Sequence, residues 1–337
     1  MHNLSPVDPA LMALAAKRTL SIKELKAQSR VITLSRLDND ATPCHVASVV
    51  SEKYERLGAI LKDFGSCLVA YSGGVDSVLL AYAAREVLGE KSLAVIADSP
   101  SLPRRELEEA LALGKQFNFP VRVIRTREFE NPAYLSNPNN RCYFCKHELF
   151  SELAPLAKAE RFAVLAYGEN ASDVGDYRPG AQAASEFQVR APLKEAGLTK
   201  AEIRELSARM GLPTAEKPQM ACLSSRIPYG EHVTEQKLSM VEQAENLLRD
   251  LGFYDVRVRH HELNSPSLGS QQKPTRHLAR IEVGQSELPK LLNGDISTRI
   301  AEALKKIGYA HVTLDLLGYR RGSANEAAEI RVSAAEK

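Results

Sequence analysis

The chain has 337 residues, 44% of them hydrophobic, enough to fill the cores of two domains. Its 44 Lys and Arg nearly cancel 42 Asp and Glu, leaving a formal net charge of +2. That balance argues against a broad nucleic-acid footprint, although a local basic patch is compatible with it. No apolar run reaches the length of a membrane span and the first residues lack a signal-peptide core, so a cytoplasmic enzyme is expected. Cys44, Cys67, Cys142, Cys145 and Cys222 make an odd count in such a setting, which points to metal or thiol chemistry rather than disulfides.

Residues 1–50 carry no sustained periodicity. Met12–Lys26 is a helix candidate, but the stretch reads as an extension outside the catalytic core, without a legible role. Glu52–Phe64 has the spacing of an amphipathic helix. It leads into CLVAYSGGVDSVLL, residues 67–80, around which the rest is organised. Leu68–Tyr71 is strand-like, and Val75, Val78, Leu79 and Tyr82 recur at helical offsets. Ser72, Gly73 and Gly74 lie at the junction, where backbone N–H groups can approach an anion and the following helix points its positive end at the same spot. No G-K-[ST] closes the loop, so it is not a Walker A motif, nor is it G-x-G-x-x-G. SGGVDS resembles the PP-loop of the ATP pyrophosphatases, which cleave ATP between the α and β phosphates. That resemblance implies ATP contacts from Ser72, Gly73, Gly74 and Ser77, with Asp76 near a magnesium ion.

Ser92–Ala97 and Val121–Arg125 read as further strands, separated by a helix over Arg104–Phe117. Strand and helix alternating at this spacing predict an α/β fold with a doubly wound parallel sheet. Ligands of such sheets sit beyond the carboxyl ends of the strands, which brings Asp98 and Ser99 beside the loop, facing a nucleotide or forming a plain turn. In PNNRCYFCKHELF, 138–150, Cys142 and Cys145 have a spacing suited to two ligands of one metal or cluster. A redox pair is the rival reading, out of context after an ATP loop. Arg161–Tyr167 is a fourth strand. The polar cluster Asn170, Asp173, Asp176 and Arg178 after it is either a site or a solvated loop.

Thr199 and Glu202 form a capping box at the start of LTKAEIRELSARMGL. Lys200 and Arg204 then lie on one face of that helix, as solvated charges or as phosphate contacts. PP-loop enzymes often carry such a pair toward ATP, which favours the second. Cys222 sits in a loop among Ser224, Ser225 and Arg226, an environment that favours thiolate over thiol. With Cys142 and Cys145 it makes a candidate three-thiolate site. From about His232 a small α+β domain is expected: a helix over Thr234–Leu251, alternating strands VRVRHHE and ARIEV with one wet face, a helix over Ile296–Ile307 and a strand over Ala310–Leu316. Arg257 and Arg259 share a strand face and could clamp a phosphate.

SGGVDS, NRCYFCK, GDYRPG, CLSSRIPYG, VRVRHHE and LDLLGYRRGSAN occur in this order, and together they resemble the LarE family of ATP-dependent sulfurtransferases over residues 52–326. The resemblance implies a PP-loop domain over 51–230, a C-terminal substrate-binding or oligomerisation domain over 231–326, a tail from 327, and assembly into a homo-oligomer. It implies adenylation of a carboxylate of pyridinium-3,5-biscarboxylic acid mononucleotide with ATP and Mg²⁺, then sulfur insertion, in making a nickel-pincer cofactor. Cys222 either gives up its own sulfur or joins Cys142 and Cys145 in a [4Fe-4S] cluster, the route that three cysteines favour. Ser225, Arg226, Arg257 and Arg259 are implied to grip the substrate phosphate. The rivals are a PP-loop tRNA thiolase, which calls for a basic groove or an RNA-binding module, and an NAD- or GMP-synthetase-like ligase, which leaves the three cysteines without a purpose.

Overall fold

The structure is a computed structural model that describes residues 44–173, 179–218, 221–263 and 275–320, with side chains from residue 49 onward. Asp176, Arg178, most of the N-terminal extension and everything after Arg320 lie outside the described residues. The chain divides into Met1–Ala47 and Ser48–Lys337, and both sheets lie in the second unit.

Four parallel strands form the first sheet: β1 (Cys67–Tyr71), β2 (Ser92–Asp98), β3 (Val121–Arg125) and β4 (Val164–Tyr167), in the order β3-β2-β1-β4. All five residues of β1 are buried, as a central strand covered on both faces requires. Its side chains divide by the strand period: Cys67, Val69 and Tyr71 join one core, Leu68 and Ala70 the other. The first core is closed by α1 (Cys44–Phe64), α2 (Val75–Leu88), α3 (Arg104–Gln116) and α6 (Lys200–Arg209), through residues such as Leu57, Val78, Ala110 and Ile203. The second is closed by α4 (Arg141–Ala159) and α5 (Pro179–Glu186), with Phe150, Leu153, Ala183 and Ala184. Helices on both faces of a parallel sheet make this the expected doubly wound α/β fold.

After β1 the chain winds outward through β2 and β3, then returns to lay β4 on the other side of β1. The order therefore reverses between β1 and β4, and the crevice beyond their carboxyl ends is the natural ligand position. The PP-loop leaves β1 there, and Gly168–Asp173 leaves β4 there.

The second sheet contains β5 (Val256–Leu263), β6 (Arg276–Val283) and β7 (Tyr309–Leu314), with β5 antiparallel to β6 and β7 parallel to it. Helices α7 (Glu235–Asp250) and α8 (Gly294–Ile307) cover it, and Ala244, Leu248, Val258, Ile281, Ile300 and Leu304 form its core. Here one expectation needs correcting. The alternation in VRVRHHE suggests a wet face, yet Val256 to His260 are all buried. Arg257 and Arg259 are enclosed because carboxylates and a cavity meet them on that side, as described next. Among the described residues no helix is long and apolar enough to cross a membrane.

Candidate active site

The PP-loop is shaped by its own side chains. Ser77, buried in the first turn of α2, accepts from the Ser72 backbone N–H at 3.1 Å, lies 3.1 Å from the Ser72 hydroxyl and donates to the Gly74 carbonyl at 3.0 Å. Gly73 has φ +71°, and a Cβ there would lie 2.8 Å from the Ala110 Cβ of α3. Both facts reserve the position for glycine. Gly168, just past β4, is a second close approach: a Cβ there would come within 2.9 Å of the Ser77 amide nitrogen. Gly74 caps α2 without a side-chain hydrogen bond to its amides, which suits an anion-binding helix start.

Asp76 faces the residues that leave β4 and open α6. Lys200 Nζ is 2.5 Å from its Oδ2, and Asn170 Nδ2 donates to its Oδ1 at 3.2 Å. Lys200 is delivered by the capping box, in which Glu202 accepts from the Thr199 amide at 2.8 Å and also holds Lys53 at 2.7 Å. Arg204 lines the same cavity, with its guanidinium donating to the carbonyls of Ala215 and Lys217. Ser99 is buried and also lines it. Asp98 instead forms an ion pair with Arg104, whose Nη2 donates to the Ser99 carbonyl at 2.7 Å.

One cavity of about 1170 Å³ runs from Ser72, Gly74 and Asp76 to Cys145 and Cys222. Cys142 and Cys145 lie one turn apart in α4, and their thiols sense Cys222 across the gap. Burial, then Cys222 and the carboxylate of Glu128, push the Cys145 thiol up. Cys142 is exposed as a residue, yet desolvation around its sulfur, followed by Cys222, raises its thiol too. Among the described residues no three His, Cys, Asp or Glu side chains are gathered closely enough to hold a metal ion. Cys67 is a core residue of β1 whose burial raises it to about 12, which makes it inert.

Cys222 precedes a short helical turn, Leu223–Arg226, that is fastened on two sides. Toward the first sheet, the Leu223 amide donates to the Ser101 carbonyl at 2.8 Å. The hydroxyls of Ser101, Tyr134 and Ser224 close a buried triangle of 2.5, 2.8 and 2.8 Å. Arg141 adds a bond to the Ser224 carbonyl at 3.0 Å. Toward the second sheet, Arg226 forms a two-pronged pair with Glu245 of α7 at 2.8 and 3.0 Å, both residues almost wholly buried. Its Nη1 also donates to the carbonyls of Ala221 and Cys222 and to Ser225 Oγ. Burial opposes ionisation of Glu245, but Arg226, with Arg257 and Arg249, holds its carboxyl below the usual range.

The arginines expected to grip a phosphate thus have distinct surroundings. Arg259 pairs with buried Glu282 at 2.9 Å and donates to the Ser225 carbonyl at 2.9 Å, behind the cavity wall. Arg257 lines the cavity and lies over the Tyr319 ring, with Asp255 at 3.7 Å. Burial and then neighbouring Arg226 lower its pKa, against the opposing pull of Glu245, Tyr319 and Asp255. Sequence reasoning missed Glu245 and Glu282. Glu245 carried a signal, since it interrupts the apolar stripe Leu238, Val241 and Leu248 of α7 at helical spacing. Ser101, Tyr134 and Glu128, on three separate segments, carried none.

No family model matches the chain. An uncharacterized protein of Synechocystis sp. is 42% identical over 82% of this chain and 98% of its own length. The pyridinium-3,5-bisthiocarboxylic acid mononucleotide synthase of Lactiplantibacillus plantarum is 32% identical over 83% of this chain and 96% of its own length. A glutamine-hydrolyzing GMP synthase of Rippkaea orientalis is 28% identical over 54% of this chain and 39% of its own length, a match of partial extent. A 32% identity that takes in 96% of the synthase and 83% of this chain, with the PP-loop and cysteine motifs in the same chain, assigns the chain to the family of the pyridinium-3,5-bisthiocarboxylic acid mononucleotide synthase, the LarE family.

Proposed function

We propose that the chain is an ATP-dependent sulfurtransferase that converts pyridinium-3,5-biscarboxylic acid mononucleotide to its thiocarboxylate form for a nickel-pincer cofactor. The observation that carries this reading is the single cavity shared by the PP-loop and the thiols of Cys145 and Cys222. Activation and sulfur delivery can then occur on one bound nucleotide.

ATP would lie with its phosphates at the start of α2 and Asp76 holding Mg²⁺ together with phosphate oxygens, a mode that needs one protein carboxylate. A substrate carboxylate oxygen attacks the α-phosphorus, and the bond to the bridging oxygen breaks. Pyrophosphate leaves with the electron pair, its charge met by Lys200 and Arg204. A sulfur nucleophile then attacks the acyl carbon, and AMP departs with the electrons of the C–O bond. The donor set supports an iron–sulfur cluster: Cys142 and Cys145 stand one turn apart in α4, and Cys145 and Cys222 line the same cavity. Cys142, Cys145 and Cys222 would hold a [4Fe-4S] cluster, whose chemistry is to carry sulfide to the site. Arg257 on the cavity wall would receive the substrate phosphate, with Arg226, Arg259 and Ser225 fixing that wall.

The test is an anaerobic preparation given ATP, Mg²⁺ and the biscarboxylate nucleotide. Pyrophosphate release should require the nucleotide and yield a sulfur-containing product, and Asp76→Asn should abolish both. Release that depends on tRNA instead would replace this reading with that of a tRNA thiolase. About four irons per chain, lost in Cys142→Ala, would support the cluster route. Iron-free, active protein that loses roughly 34 Da at Cys222, the mass of H₂S, would assign the sulfur to Cys222 itself.

A further inference from the structure

Glu128 follows β3 in a short helical turn, where nothing in the proposed chemistry uses it. It is 2% exposed, lines the cavity, and its Oε2 has no hydrogen-bond partner among the described residues. Buried carboxylates are ordinarily paired, because an uncompensated charge removed from water is costly. Arg127, its neighbour in the chain, pairs with Glu152 instead. Glu128 shares the lining of the cavity with Cys145 and Cys222. Such a carboxylate repels anions and rewards a cation that fits against it.

The relative from Lactiplantibacillus plantarum is named for a product with a pyridinium ring, a cation of fixed charge. For sulfur to reach a carboxyl carbon on that ring, the ring itself must lie beside the thiols, which is beside Glu128. We propose that Glu128 is the counter-charge for the substrate's cationic ring and selects pyridinium nucleotides over neutral aromatic ones. This proposal rests on the function proposed above. The carboxylate also disfavours a pose that turns an unactivated ring carboxylate toward Oε2, so it orients as well as selects.

The experiment compares two ligands of the full-length, anaerobically prepared protein by calorimetry. One is pyridinium-3,5-biscarboxylic acid mononucleotide. The other is its isophthalate C-nucleotide, in which a ring carbon replaces the charged nitrogen while both carboxylates and the phosphate remain. Wild type should bind the pyridinium nucleotide at least about tenfold more tightly. Glu128→Gln should erase that preference, with the analogue, relieved of repulsion, bound no more weakly than by wild type, and should leave the affinity for MgATP unchanged. Equal affinity of wild type for the two nucleotides, or a preference that survives in Glu128→Gln, would overturn the proposal alone. Binding of neither nucleotide by wild type would overturn the proposed function and this inference with it. If Glu128→Gln fails to bind MgATP, Glu128→Asp decides: its retracted charge should shrink the preference, and an undiminished one refutes the role.

Discussion

Gly73 shows how one residue can tie ATP chemistry to packing. Its positive φ and the 2.8 Å approach to Ala110 mean that any side chain must push α3 away from the PP-loop. Gly73→Ala should therefore destabilise the protein by about 1–3 kcal/mol through backbone strain and crowding. Nucleotide-dependent pyrophosphate release should fall more steeply than stability does, because the loop amides are displaced. Urea unfolding alongside the release assay checks this, and wild-type activity in a correctly folded variant would refute it. This glycine was legible, since SGGVDS stands at a strand–helix junction where its purpose is local. Glu128, Ser101 and Tyr134 were not, because their importance arises only when distant segments converge on Cys222.

Among elements, the second sheet behaves least as its pattern suggests. The two-residue alternation of β5 marks its faces correctly, but periodicity cannot say whether a polar face meets water or buried carboxylates. His260 illustrates the consequence. It is fully buried, 3.2 Å from the Tyr309 hydroxyl and 3.1 Å from His277, and burial, then His277, lowers its pKa to about 3. Between the ordinary histidine value and about 3 the unfolded chain binds a proton there that the folded chain does not. Folding stability should therefore rise with pH across this window, be complete above about pH 6.5, and be lower by about 2 kcal/mol at pH 5. Urea titrations at pH 5 and 7.5 measure the difference. His260→Leu should flatten the slope whatever it does to absolute stability, and an unchanged slope would assign the acid sensitivity elsewhere. Helix α6 is the contrasting case, because its capping box and the delivery of Lys200 are both written in adjacent residues.

For the whole molecule, the parallel sheet, with a ligand position expected beyond the carboxyl ends of its strands, was legible from strand and helix alternation. The parallel addition of β7 to β6 was not, since pairing across α8 leaves no local trace. The Arg226–Glu245 pair was likewise hidden, although it fixes the Cys222 segment to α7. Arg226→Met should cost about 3–5 kcal/mol by removing the two-pronged partner of buried Glu245, which Arg249 at 3.6 Å replaces only in part, and adding Glu245→Leu should restore part of that stability. The double variant should still release pyrophosphate poorly into productive sulfur transfer, because the bonds from Arg226 to the Ala221 and Cys222 carbonyls are gone. Thermal unfolding and product analysis separate the two effects; full sulfur transfer in the double variant would reduce Arg226 to a packing residue.

The turn Leu223–Arg226 is sewn to Ser101 and Tyr134 on one side and to Glu245 and Arg259 on the other. It is a seam, and the sulfur beside it belongs to neither half. Exchanging halves between relatives would preserve each sheet with its own core and still mismatch the stitches around Cys222. Evolution by recombination is accordingly constrained at this point, and the two halves must change in step if the Cys222 segment is to keep its place on the cavity wall.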